Sequence, residues 1–191
     1  MEENEMRRVD LVVIGGSAGS FTVLLEILPK IRTDIDFAIV VVLHRKNNFT
    51  TSIADVFDQK CALPVLECED KDRIEKGKIY FAPADYHLLI EKDSCFSLDY
   101  SEKVNFSRPA IDITFKNAAD VYQSKLVGIL LSGANADGAE GLAYIKQKSG
   151  TTIVQDPESA EIATMPNEAL KLCKPDFIAN VGEIADLINQ F

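Results

Sequence analysis

Apolar positions along this chain follow two alternating patterns, short β-branched runs and longer stretches at helical spacing. Leu11-Val12-Val13-Ile14 predicts a strand that stops at Gly15-Gly16, and a helix follows from about Ala18 to Leu28, ended by Pro29. Phe37 to Leu43 is apolar on both faces, as a central parallel strand must be. Thr50 or Thr51 is placed to cap a helix running to Asp58, with Ile53, Ala54, Val56 and Phe57 inward. Between Pro64 and Leu98 the runs shorten to Val65-Leu66, Lys78–Phe81, Leu88–Glu91 and Cys95–Leu98. That stretch predicts hairpins or a meander of antiparallel strands at an edge.

Helical spacing returns after Arg108-Pro109, with Ile111, Ile113, Phe115 and Ala118 to Val121. Leu126 to Leu131 is a further buried strand, closed by Ser132-Gly133. A helix over Ala139–Gln147, a strand at Thr152–Val154, short helices at Glu158–Ile162 and Asn167–Leu172, a strand at Phe177–Ala179 and a helix from Glu183 complete the pattern. The expected fold is a doubly wound α/β domain over residues 9–191. It has a mostly parallel sheet, helices on both faces and a short antiparallel hairpin region, behind a polar tail at residues 1–8.

Composition narrows the class. The chain has 191 residues with 20 Lys+Arg against 30 Asp+Glu, a formal charge of −10. That acidity argues against nucleic acid, which needs a concentrated basic surface. The start is too polar for a signal peptide, and the longest apolar run falls well short of a membrane span of about 20 residues. Cys61, Cys68, Cys95 and Cys173 stand far apart with no C-x-x-C, and His44 and His87 are the two histidines. Free thiols, no bound metal, no cofactor and a cytoplasmic monomer are the expectation.

In doubly wound sheets ligands bind outside the carboxyl ends of the strands. The first strand ends in Gly15-Gly16-Ser17-Ala18-Gly19, a G-x-S-x-G turn that lifts a hydroxyl clear of the sheet. The second ends in His44, and the strand at Leu126–Leu131 leads into a turn carrying Asp137. Serine needs a base to become a nucleophile, histidine supplies one near neutral pH, and a carboxylate fixes its tautomer. Taken singly, each has a plainer reading: a phosphate-cradling turn, a structural histidine, a helix cap. A dinucleotide site fits poorly, since no register gives G-x-G-x-x-G and no carboxylate follows the second strand. A nucleotide-binding α/β module is thus an alternative, as is a non-catalytic relative that binds a receptor or partner.

These residues resemble the catalytic domain of the CheB family of chemotaxis receptor-glutamate methylesterases. The likeness rests on Val13–Gly19, Val42-Leu43-His44, Phe49–Ser52, Arg108-Pro109-Ala110-Ile111-Asp112 and Leu131–Gly138. Weaker agreement extends through Asp70–Ile74, Ile79–Pro83, Gln155-Asp156 and Met165–Ala169. The resemblance implies hydrolysis of γ-glutamyl methyl esters on methyl-accepting receptors, with deamidation of glutamine as a second activity. Ser17 is then the nucleophile, His44 the base and Asp137 the orienting acid. Ala18 and Ala134 would offer backbone N–H groups to the oxyanion, and Arg108 a contact to acidic groups beside the ester.

Three segments depart from the family's usual residues: Ala18 replaces a threonine, Arg45-Lys46 replaces Met-Pro, and Ala134 and Ala136 stand where methionine and asparagine are common. The short tail predicts no phosphorylatable receiver domain in cis. An acidic receptor would be repelled on average by a −10 enzyme. Arg45, Lys46 and Arg108 are therefore expected to form a local basic rim, effective within about 8–10 Å at physiological salt.

Overall fold

The computed structural model describes residues 8–45 and 52–191. In chain order the strands are β1 (Leu11–Gly16), β2 (Ala38–Leu43), β3 (Val65–Glu67), β4 (Ile79–Phe81), β5 (His87–Ile90), β6 (Phe96–Asp99), β7 (Leu126–Leu130), β8 (Thr151–Gln155) and β9 (Phe177–Ala179). The helices are α1 (Ser20–Ile27), α2 (Ile53–Asp58), α3 (Ile111–Tyr122), α4 (Ala139–Gln147), α5 (Thr164–Leu172) and α6 (Val181–Gln190). Seven strands form one sheet in the order β3-β4-β2-β1-β7-β8-β9, every pair parallel.

β1, β2 and β7 are fully buried, which is why their sequences are apolar at consecutive positions. Successive side chains point to opposite faces. Val12, Ile14, Ile39 and Val41 thus pack with α1, α2 and α6, while Leu11, Val13, Val40 and Val42 pack with α3, α4 and α5. Phe57 of α2 joins the first layer, 4.9 Å from the Phe81 ring and 5.4 Å from Phe21.

The antiparallel reading of the 64–98 stretch holds only for β5 and β6, which form a separate two-stranded hairpin. β3 and β4 instead extend the main sheet in parallel. Three-residue strands carry no local mark of their direction; what places them is the apolar edge left open beside β2. Glu158–Ile162 is turn and bend rather than helix, since Asp156 binds the N–H of Glu158 and the backbone and hydroxyl of Ser159. α5 begins earlier than expected, at Thr164, and α6 begins at Val181 behind a capping box of Asn180 and Glu183. α2 is capped by Ser52; the expected caps, Thr50 and Thr51, lie outside the described residues.

Among the described residues no helix is long and apolar enough to cross a membrane. All four cysteines are free, Cys68 being buried. The chain builds outward from β1 through β2 to β3, then returns to β7 on the opposite side of β1. That reversal opens a crevice at the carboxyl ends of β2, β1 and β7.

Candidate active site

The turn after β1 is held from below. Ser17 donates its N–H to Ser132 O at 2.9 Å, and Ser20 Oγ donates to the same carbonyl at 2.6 Å. Ser132, fully buried, places its hydroxyl 2.8 Å from Ala18 O and 3.1 Å from Ile162 O, and accepts the Ile162 N–H. Its own N–H goes to the buried Gln155 side chain at 2.8 Å. One serine thereby joins the ends of β1, β7 and β8.

Gly19 stands at φ +84°, and a Cβ there would lie 2.8 Å from both Ser132 Oγ and Glu161 Cβ. Only glycine fits the turn on both counts. Gly19→Ala should therefore cost about 1–3 kcal/mol in urea unfolding, from strain plus displacement of Ser132. A loss below half a kcal/mol would show that the turn is not held in this way.

Ser17 and His44 face one cavity of about 410 Å³, walled by Phe21, Leu43, Ile53 and Val56 and edged by Ala18, Gly19 and Arg45. Ser17 Oγ makes no hydrogen bond to His44 or another described residue. The N–H groups of Ala18 and Ala134, both exposed, also donate to no described group. His44 Nε2 lies 2.7 Å from Asp137 Oδ2, and Nδ1 is the ring nitrogen turned away from that carboxylate. Ser107 Oγ sits 3.4 Å from that nitrogen.

Asp137 is completely buried and accepts from four donors. Oδ2 takes His44 and the N–H of Ile111 at 2.7 Å; Oδ1 takes the N–H of Asp112 at 3.1 Å and Asn105 Nδ2 at 3.2 Å. Burial alone would push its carboxyl up. The His44 hydrogen bond and the two N–H groups at the start of α3 outweigh that and hold it below the ordinary carboxylate value. It is a fixed anion behind the imidazole.

Arg45 is nearly buried, its Nη2 2.5 Å from Glu67 Oε2 and its Nε without a partner. Lys46 lies outside the described residues. Arg108 does not line the cavity: its guanidinium stacks 3.9 Å from the Tyr100 ring centroid and donates to Ser101 O at 2.7 Å. Ala134 does not line the cavity either, although its neighbour Gly133 is so near the turn that a Cβ there would lie 3.0 Å from Ser17 Cβ. Asn105 and Ser107 lie outside every segment that the sequence singles out, whereas Ser132, Gln155 and Asp112 fall inside such segments but are given no role there, because their partners are distant in the chain. Among the described residues no group of three or more His, Cys, Asp or Glu could hold a metal ion.

The parallel sheet thus carries a hydroxyl, an imidazole and a buried carboxylate near neighbouring strand ends, the residue types that ester hydrolysis uses. The chain belongs to the CheB methylesterase family, whose model matches residues 12–188. A relative from Leptospira interrogans is 43% identical over 178 residues, covering 93% of this chain and 92% of its own length. One from Thermotoga maritima, a protein-glutamate methylesterase/protein-glutamine glutaminase, is 36% identical over 179 residues. The match covers 92% of this chain but 52% of that relative. The crystal structure of the Thermotoga maritima CheB methylesterase catalytic domain superposes with a TM-score of 0.91 at 34% identity, covering 95% of this chain and 98% of that one.

Proposed function

We propose that this chain is a serine esterase that hydrolyses γ-glutamyl methyl esters of a chemotaxis receptor, with Ser17, His44 and Asp137 as its triad. The observation that carries the reading is the 2.7 Å bond from His44 to a buried Asp137 carboxylate, beside a cavity that His44 shares with Ser17. Ser17 Oγ attacks the ester carbonyl as His44 Nδ1 takes its proton, forming the C–O bond of a tetrahedral intermediate. The free N–H groups of Ala18 and Ala134 are the candidate donors to its oxyanion. Collapse expels methoxide, which leaves as methanol with the proton from His44. Water then enters, His44 accepts its proton, and the acyl-enzyme is cleaved to glutamate and free Ser17. A glutamine γ-amide takes the same course with ammonia as leaving group.

The cavity suits an ester carried on a helix: apolar walls for the aliphatic stem, and Arg45 at the edge for an acidic neighbour. Arg45, paired with Glu67, lines this cavity and supports that reading, whereas Arg108 does not line it. The test is labelling with a fluorophosphonate followed by peptide mapping, alongside methanol release from methylated receptor. Modification of Ser17 together with methanol release is expected. A folded protein that neither labels nor releases methanol would favour the non-catalytic, partner-binding reading instead.

A further inference from the structure

Behind His44 and Asp137 lies a second buried carboxylate, Asp112, in the first turn of α3. The two acids cap each other's helices. Asp137, just before α4, accepts the N–H groups of Ile111 and Asp112 at the start of α3. Asp112 in turn accepts the N–H of Gly141 in the first turn of α4, through Oδ1 at 2.6 Å. Helix N-termini leave such donors unpaired and favour anions beside them.

Capping leaves Asp112 Oδ2 over, and it does not account for the side chain that reaches both acids. Asn105 donates one amide hydrogen to Asp112 Oδ2 at 3.1 Å and the other to Asp137 Oδ1 at 3.2 Å. It reaches them from a tight turn closed by paired backbone bonds between Val104 and Ser107. Both central residues are left-handed, Asn105 at φ +50° and Phe106 at +62°, a conformation that costs a phenylalanine energy. The same turn sets Ser107 Oγ against His44 Nδ1. A strained turn thus touches the acid and the base from one side.

We propose that Asn105 and Asp112 are positioning residues of the reaction: Asn105 ties Asp112 to Asp137, and the charge on Asp112 tunes the basicity of the His44–Asp137 couple. This rests on the esterase reading for its kinetic consequences, though the tie itself does not. Burial, first, and the neighbouring Asp137 charge raise the Asp112 carboxyl to about 6, against the Gly141 N–H and Lys116, which lower it, while Glu140 raises it. These are the charged groups that face Asp112: Asp137 and Glu140 from the α4 side, and Lys116 one turn along α3. Asp112 therefore gains its charge across the range in which a histidine base becomes active. Above that range two anions support the imidazolium; below it, one does.

Two variants separate this from simple capping. Asp112→Asn keeps an oxygen for the Gly141 N–H but removes the charge and sets an NH₂ against the Asn105 amide, so its acid limb is compared with that of Asn105→Gly, which lacks the tie and keeps the charge. The acid limb of kcat/KM should move to lower pH by at least about half a unit, and kcat on the plateau should fall several-fold with KM within about two-fold. Asn105→Gly suits the left-handed turn and removes only the amide. In carbon-13 spectra of the side-chain carboxyls, the Asp112 midpoint should rise above its wild-type value, because the ionised form loses a donor. An unmoved Asp112 midpoint in folded Asn105→Gly overturns the tie. An unmoved acid limb in Asp112→Asn overturns the tuning. If the wild-type protein releases no methanol, the esterase reading fails while the carboxyl titration still decides the tie.

Discussion

Ser17→Ala should abolish methanol release, by on the order of 10⁶-fold in kcat, while leaving the unfolding midpoint in urea unchanged. Both halves of this expectation follow from the site. On the proposed mechanism, removing the Ser17 hydroxyl takes away the covalent route and leaves only transition-state binding, so the residual rate falls to what the cavity and the candidate oxyanion donors supply. The hydroxyl that is lost makes no hydrogen bond to a described residue, so no buried donor or acceptor is stranded. The turn's stability instead resides in Ser20, Ser132 and the Ser17 backbone, which alanine retains. A variant that keeps more than about a hundredth of wild-type turnover would place the nucleophile elsewhere. Loss of activity accompanied by loss of fold would contradict the hydrogen-bond pattern around the turn.

Asp137→Asn should lower kcat by about 10⁴-fold and also destabilise the fold by about 2–3 kcal/mol. The pairing of the two effects distinguishes Asp137 from Ser17. An amide is close in shape to the carboxylate but brings one acceptor and one donor to a place where four donors converge. If its NH₂ faces His44, the imidazole must accept at Nε2 and carry its proton on Nδ1, the wrong tautomer for a base. If it faces Asn105 and the Asp112 N–H, two donors meet a donor. Either way α3 loses part of its cap and the buried anion is gone. Measurement of kcat at the pH plateau and of urea unfolding on the same preparation checks both numbers. A variant with normal turnover would remove Asp137 from the triad, whatever its stability.

Much of this layout is legible in the sequence because central parallel strands declare themselves. β1, β2 and β7 are buried on both faces, so their apolar runs are continuous, and the residues that follow them fall at the strand ends by construction. Ser17, His44 and Asp137 become candidates in that way. β3 and β4 could not be oriented, because a run of three residues shows its burial and not its neighbour. Asn105 and Asp112 were illegible for a different reason. Their bonds to Asp137 span 32 and 25 residues, and in a linear reading an exposed asparagine and a first-turn aspartate are ordinary turn and cap residues. Ser132 stands in a segment that the sequence does single out, but nothing local shows that its hydroxyl reaches Ala18, 114 residues away.

The parallel ladder also acts as a ruler for the chemistry. Gly16 is in register with Leu43, the residue before His44, and Gly15 with Leu130. His44 and Asp137 thus hang from strands on opposite sides of β1, and their 2.7 Å bond closes a bridge across it. A strand advances about 3.3 Å per residue and turns its side chains over at each step. One residue inserted into β1 would displace Ser17 by more than a hydrogen bond's length relative to both partners. The same insertion in the loops at the amino ends of these strands would be absorbed far from the reacting atoms, so tolerance to length change should divide sharply between the two ends of the sheet.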